Sequence, residues 1–179
     1  MIPKIKTIVY ATGLGTGAPY VFRYALSLAR EYNAKIDIVC GLAPLSTNVK
    51  GVANIYLGNE ASEEFHRQAR DRVKREIEKQ VEAMCRSAVI DDPGSMQYVN
   101  STNVIEDEPD LAVLRCAKNV NADVIVMGTH RRTMEVGALL GSCAVKVLHR
   151  ATVPVFLVRI PDGYKDLPSK NWTPEMVSF

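Results

Sequence analysis

Apolar patterns of two kinds alternate along this chain from end to end, and that alternation leaves few folds open to it. Residues 5–11 (IKTIVYA) form a β-branched run that ends at glycines. Residues 20–32 follow with apolar side chains at Val21, Tyr24, Ala25, Leu28 and Ala29, the spacing of a helix, and Pro19 suits its first turn. Residues 35–41 (KIDIVCG) read as a second strand, closed before Pro44. A long helix starts near Ala61: Phe65, Ala69, Val73, Ile77 and Val81 recur every four residues, and Met84 and Cys85 extend this core-facing stripe. Asp91, Asp92, Pro93 and Gly94 make a turn, and residues 96–104 a weaker third strand. Acidic residues at 106–108 and Pro109 open a third helix with Leu111, Val113, Leu114 and Ala117 on its apolar face. Residues 124–127 are the fourth strand, 141–150 the fourth helix and 153–160 (VPVFLVRI) the fifth strand. Residues 45–59 carry Gly and Asn and no assignable pattern. Such an order implies an α/β fold: an open, doubly wound, five-stranded parallel sheet with right-handed crossovers and helices on both faces. The strand order expected is 3-2-1-4-5.

The chain's 179 residues fit one domain, residues 1–160, followed by a tail at 161–179 rich in Pro, Lys, Asp and Ser, with Trp172 and Phe179 as its bulky apolar anchors. A formal charge of +2, with both signs mixed along the chain, excludes a nucleic-acid footprint. The alternating charges of residues 60–82 mark a solvated helix face. No apolar run approaches the roughly 18 residues needed to cross a bilayer, and the first residues (MIPKIKTIVYA) lack the pattern of a signal peptide. These features point to the cytoplasm. Cys40, Cys85, Cys116 and Cys143 lie far apart without a CxxC pair, so they read as small buried hydrophobes in a reducing compartment. His66, His130 and His149 do not cluster with them in sequence, and no metal site is assigned.

Function is concentrated in residues 123–142 (DVIVMGTHRRTMEVGALLGS). A buried strand turns at Gly128, passes through a polar loop, and reaches Gly141 and Ser142 at the start of a helix. The first amides of a helix lack intrahelical partners and carry the positive end of its dipole, so an anion can sit there. In open parallel sheets, ligands bind beyond the carboxyl ends of the strands, where strand order reverses. With strands one and four as neighbours, residues 12–17 (TGLGTG) and 128–140 line one crevice. Gly128, Gly141, Ser142 and Cys143 are therefore candidates to hold a phosphate. Plain alternatives stand beside that reading: Gly128 ends a strand, and Ser142 caps a helix. His130 and Arg132 either approach a phosphate or face solvent.

This arrangement resembles the universal stress protein family over residues 5–160. The family motif is a Gly, two residues, a Gly, nine residues, then Gly and Ser or Thr. Here Gly128, Thr129, His130 and Arg131 are followed by nine residues and by Gly141 and Ser142, within flanking text (NADVIVMGTHRR and GSCAVKVLHRATVPVFLVR) that also matches. The resemblance implies an adenine-nucleotide site, for ATP or AMP, at Thr12, Gly13, Gly41, Met127, Gly128, Arg131, Gly141, Ser142 and Cys143. It also implies a stress-response role and a homodimer joined through the fifth strand, residues 153–158. An unpaired hydrophobic edge strand is a liability unless covered, which gives the dimer a physical reason. Two departures bear on the site. Arg131 stands where the motif has its second Gly, where it would either fill the phosphate space or clamp a phosphate. Gly13 stands where nucleotide-binding members carry an Asp.

No nucleophile and base pair stands out, the phosphate loop GxxxxGK[ST] is missing, and no acidic cluster suggests a strong Mg2+ site. The expectation is a regulatory or protective protein with at most slow ATP hydrolysis. The alternative is the same scaffold without nucleotide, acting as a dimeric interaction module. A third reading is a dinucleotide enzyme, from Gly13, Gly15 and Ala18 in a G-x-G-x-x-A pattern with Asp37 about 20 residues on; it suffers because Asp37 falls inside the second strand.

Overall fold

The computed structural model describes residues 2–44, 59–129, 140–161 and 164. Among them the order is β1 (Thr7–Ala11), α1 (Ala18–Tyr32), β2 (Lys35–Leu42), α2 (Asn59–Ala88), a 3-10 turn (Pro93–Tyr98), β3 (Val99–Glu106), α3 (Pro109–Asn119), β4 (Val124–Gly128), α4 (Ser142–Arg150) and β5 (Val155–Val158). All strands are parallel, as the alternation predicts, and they lie in the expected order β3-β2-β1-β4-β5.

Alternate residues of each strand feed two cores. Ile8, Tyr10, Ile36, Ile38, Val124 and Val126 pack beneath α1 and α2, whereas Val9, Val39, Ile125 and Met127 pack beneath α3 and α4. The central strands are buried on both faces, which is why they read as continuous apolar runs. At the centre, Ala11 is in register with both Val39 of β2 and Met127 of β4. From this point the chain winds outward in two directions, and a hollow opens in the crevice between those halves.

Several details depart from the expected pattern. Helix α1 begins at Ala18, and its buried face is Val21, Phe22, Ala25, Leu26 and Ala29. Tyr24 is exposed and Leu28 half-buried, so the apolar stripe is rotated by one position. Helix α1 ends on Asn33 in the left-handed region (φ 52), with the Ala34 amide donating to the Ala29 carbonyl. The stripe of α2 is buried from Ile77 onward, but Phe65 is 58% exposed. A 30-residue helix spans about 45 Å, and an eight-residue strand only about 26 Å, so the first turns of α2 outrun the sheet. Met96 sits in the 3-10 turn rather than in β3, because the Asp92 carbonyl and carboxylate accept from the Ser95 amide (3.1 Å) and hydroxyl (2.6 Å). On α3 the buried apolar residues are Ala112, Val113, Cys116 and Ala117, with Leu111 and Leu114 half-buried. The regular part of the fifth strand is shorter than expected, four residues.

Candidate functional site

A hollow of about 410 Å³ opens at the carboxyl ends of β1, β2 and β4. Eight of the nine residues singled out from the sequence line it: Thr12, Gly13, Gly41, Met127, Gly128, Gly141, Ser142 and Cys143. The ninth, Arg131, lies outside the described residues, as do His130 and Arg132. The remaining wall comes from the starts of α1 and α3, notably Val21, Pro109 and Val113, and from Ile160 beyond β5.

The β1 side of the hollow is shaped by Thr12. Its amide donates to the Val39 carbonyl (3.0 Å), and its hydroxyl accepts from the Leu14 amide (3.1 Å). That local turn throws Leu14 into the left-handed region (φ 55) and buries its side chain. A bulky residue rarely adopts this conformation, and such strain collects at functional loops. Tyr10, at the end of the same strand, donates its hydroxyl to the Ala18 carbonyl (2.8 Å) and so tethers the start of α1. Burial pushes the Tyr10 phenol far up from its ordinary value, so it stays a neutral donor.

On the opposite side, Gly141 is the N-cap of α4, in an extended conformation and without a side-chain cap. Ser142 is thus the first helical residue and does not cap the helix, which removes the plain reading of that serine. The first-turn amides are left facing the hollow region with the positive end of the α4 dipole. Helix α4 is held to α3 by the buried Asp110, which accepts from Arg150 Nη1 (3.1 Å) and Lys146 Nζ (3.4 Å). Cys143 is half-buried, and its thiol pKa is raised chiefly by desolvation, with Asp110 adding to the effect. It presents a neutral thiol.

The glycines differ in why they are needed. A Cβ on Gly41 would meet Pro109 Cα at 2.8 Å, so this residue lets α3 start close against β2. A Cβ on Gly128 would lie 2.8 Å from Val21 Cγ2 and 3.2 Å from Ile160 Cδ1. Around Gly13 there is open space. Asp37, the acidic residue of the dinucleotide reading, is only 2% exposed and accepts from Asn100 Nδ2 (2.8 Å) and Ser101 Oγ (2.5 Å). It fastens β2 to β3 and does not reach the hollow, so that reading fails on geometry.

A model of the universal stress protein family matches residues 4–159. The chain belongs to the universal stress protein family. Similar solved structures include hypothetical protein MJ0577 (19% identity, 89% of this chain and 99% of that one, TM-score 0.67). A universal stress protein in complex with cAMP is similar at 20% identity (89% and 100% covered, TM-score 0.55). The universal stress protein UspA from Lactobacillus plantarum follows at 16% (88% and 100% covered, TM-score 0.54). Among curated proteins none matches.

As a universal stress protein, the chain keeps the family fold with a glycine, not an acid, at position 13. Among the described residues no three His, Cys, Asp or Glu side chains gather as a metal site, and no helix is long and apolar enough to cross a membrane. A second hollow, about 450 Å³, lies between α2 and β3, lined by Ile38, Cys85, Met96 and Val99 with Arg75 and Glu78 at its rim; it shares no residue with the first.

Proposed function

We propose that this protein binds an adenine nucleotide, ATP or AMP, in the hollow at the carboxyl ends of β1, β2 and β4, and serves as a cytoplasmic stress-response protein with at most slow hydrolysis. One observation carries the reading: eight residues scattered from Thr12 to Cys143 converge on a single hollow beside the uncapped start of α4. The phosphates would lie against the amides of Ser142 and Cys143 and the Ser142 hydroxyl, where backbone donors and the helix dipole act together. The base would lie toward Gly41, Val39 and Met127, whose backbone and apolar surface suit a flat ring. The family relative in complex with cAMP binds a nucleotide of this class. Among the described residues no nucleophile and base pair lines the hollow.

Isothermal calorimetry with ATP and AMP tests this directly. A saturable heat with either nucleotide is expected; no heat at millimolar nucleotide would end the reading.

A second reading has its own observation. Gly13 stands in open space where the family resemblance implies a carboxylate, and β5 is the last strand of the sheet and carries the exposed Phe156. On this reading the protein is a dimeric interaction module joined through residues 153–158. The two readings share the dimer and differ in the nucleotide.

A further inference from the structure

We propose that Leu14 is a positioning residue of the hollow: its buried side chain pins the loop between β1 and α1 in one shape, so that this wall stands pre-formed before a ligand arrives. The nucleotide part rests on the reading above. Residues 13–17 (GLGTG) carry three glycines in five positions, and glycine has more backbone freedom to lose than any other residue. Left to its composition, such a loop would populate many shapes. Leu14 is its one apolar side chain, and it is 1% exposed. That side chain enters the same core as Tyr10, Ala18, Val21 and Phe22, and it also lines the hollow. Thr16 is exposed and Gly13 faces open space, so within residues 13–17 the anchoring side chain is that of Leu14.

Two opposed effects meet at this residue. The left-handed backbone (φ 55) weighs against a leucine by about tenfold, whereas a glycine would adopt it freely. Burying the leucine side chain favours the observed state by about tenfold to a hundredfold, which offsets the strain. The side chain therefore holds the conformation against the preference of its own backbone. Hydrogen bonds close the loop on either side of it. The Leu14 amide donates to Thr12 Oγ1 (3.1 Å), the Ala18 amide to the Gly15 carbonyl (2.9 Å) and the Tyr10 hydroxyl to the Ala18 carbonyl (2.8 Å). Elsewhere in the hollow, Val39 and Met127 need no such pin, because each is paired in the sheet with Ala11. The loop is the adjustable wall. A wall that holds the fitting shape only part of the time lowers ligand affinity by that fraction.

The test uses the full chain, with Leu14→Gly to remove the pin and Val81→Ala as a core control away from the hollow, Val81 being 0% exposed. Amide hydrogen exchange without nucleotide, read by NMR, follows the loop itself. In Leu14→Gly the Ala18 amide is expected to exchange about tenfold faster relative to the amides of β1. If Ala18 and β1 speed up by the same factor, only global stability has changed and the pin is overturned. Calorimetry with ATP reads the consequence. Affinity should fall about tenfold in Leu14→Gly and stay at the wild-type value in Val81→Ala, although both variants unfold at lower urea. Equal affinity in Leu14→Gly and wild type would overturn the positioning role. Should Leu14→Gly not fold, Thr12→Val and Thr12→Ser decide: the Leu14 amide should exchange about tenfold faster in the first and at the wild-type rate in the second, which keeps the hydroxyl. Wild-type exchange in Thr12→Val would count against the pinned turn. Absence of ATP heat in wild type would instead remove the nucleotide reading, and the exchange rates would still decide the pin.

Discussion

At the scale of single residues, three glycines around one hollow carry three different constraints. Gly41 is imposed by the backbone of Pro109, Gly128 by Val21 and Ile160, and Gly13 by nothing within 4 Å. Their tolerance to substitution should therefore diverge. Gly41→Ala forces its Cβ against a main-chain carbon, and overpacking of that kind costs about 1–3 kcal/mol; a urea midpoint lowered to match is the expected result. Gly13→Ala should leave the midpoint within about 0.5 kcal/mol of wild type. Gly13→Asp is more informative. The space is open, and a carboxylate there would add a charge-assisted hydrogen bond of about 1.5–3 kcal/mol if adenosine hydroxyls or ring nitrogens lie within reach. Calorimetry should show ATP binding at least tenfold tighter in Gly13→Asp than in wild type. Equal affinity would mean that the ligand does not approach the β1 loop.

At the scale of elements, the polar ties between strands matter as much as the apolar layers. Asp37 sits in the middle of β2 and accepts from both Asn100 and Ser101, across the register that pairs β2 with β3. Asp37→Ala strips two donors of their acceptor in a part-buried setting, so unfolding free energy should fall by about 1–3 kcal/mol; a urea curve unchanged from wild type would contradict that role. This residue also shows what the sequence did and did not make legible. The alternation of strand and helix patterns was enough for five parallel strands, because such strands need helical crossovers that cover the sheet; the order 3-2-1-4-5, and with it the crevice at the carboxyl ends, was an added expectation that the sheet bears out. The glycines and Ser142 could be assigned to that crevice because the motif sits at a strand end and a helix start. Side-chain facing was less legible. Tyr24 and Phe65 have helical spacing but are exposed, since burial depends on what lies under a helix and not on its period. The left-handed Leu14 was hidden because its cause is a side-chain bond from Thr12, two residues away. Ile160 was unreadable for a related reason: its seat is made by two glycines distant in the chain.

At the scale of the whole molecule, burial of thiols sets an alkaline limit. Desolvation pushes Cys40 and Cys116 to about 11 and Cys85 to about 12, from an ordinary 9.0. The unfolded chain releases these protons near pH 9 while the folded chain keeps them, so above that value the folded state binds more protons. Stability is then full below about pH 9 and falls as pH rises through about 11. Urea midpoints at rising pH should show this decline, and a flat profile would contradict the burial. The remaining whole-molecule question is association, and the two sheet edges are unequal in this respect. Along β3, Asn100, Ser101 and Asn103 are tied into hydrogen bonds with β2 or with one another, a polar edge that discourages pairing. Along β5, Val155 and Leu157 pack inward on the α3 and α4 face, whereas Phe156 is 41% exposed beside Tyr24, their rings 6.4 Å apart. A four-residue strand with an aromatic strip at its margin is the edge suited to meet a second copy. Val158 is the wrong place to test this, because it is 4% exposed and a charge there would damage the core. Phe156→Glu puts the charge on the surface instead, where its effect on folding should stay within about 0.5 kcal/mol. Sedimentation should show a dimer for wild type and a monomer for Phe156→Glu at the same concentration. If both sediment alike, the fifth strand is not the meeting edge.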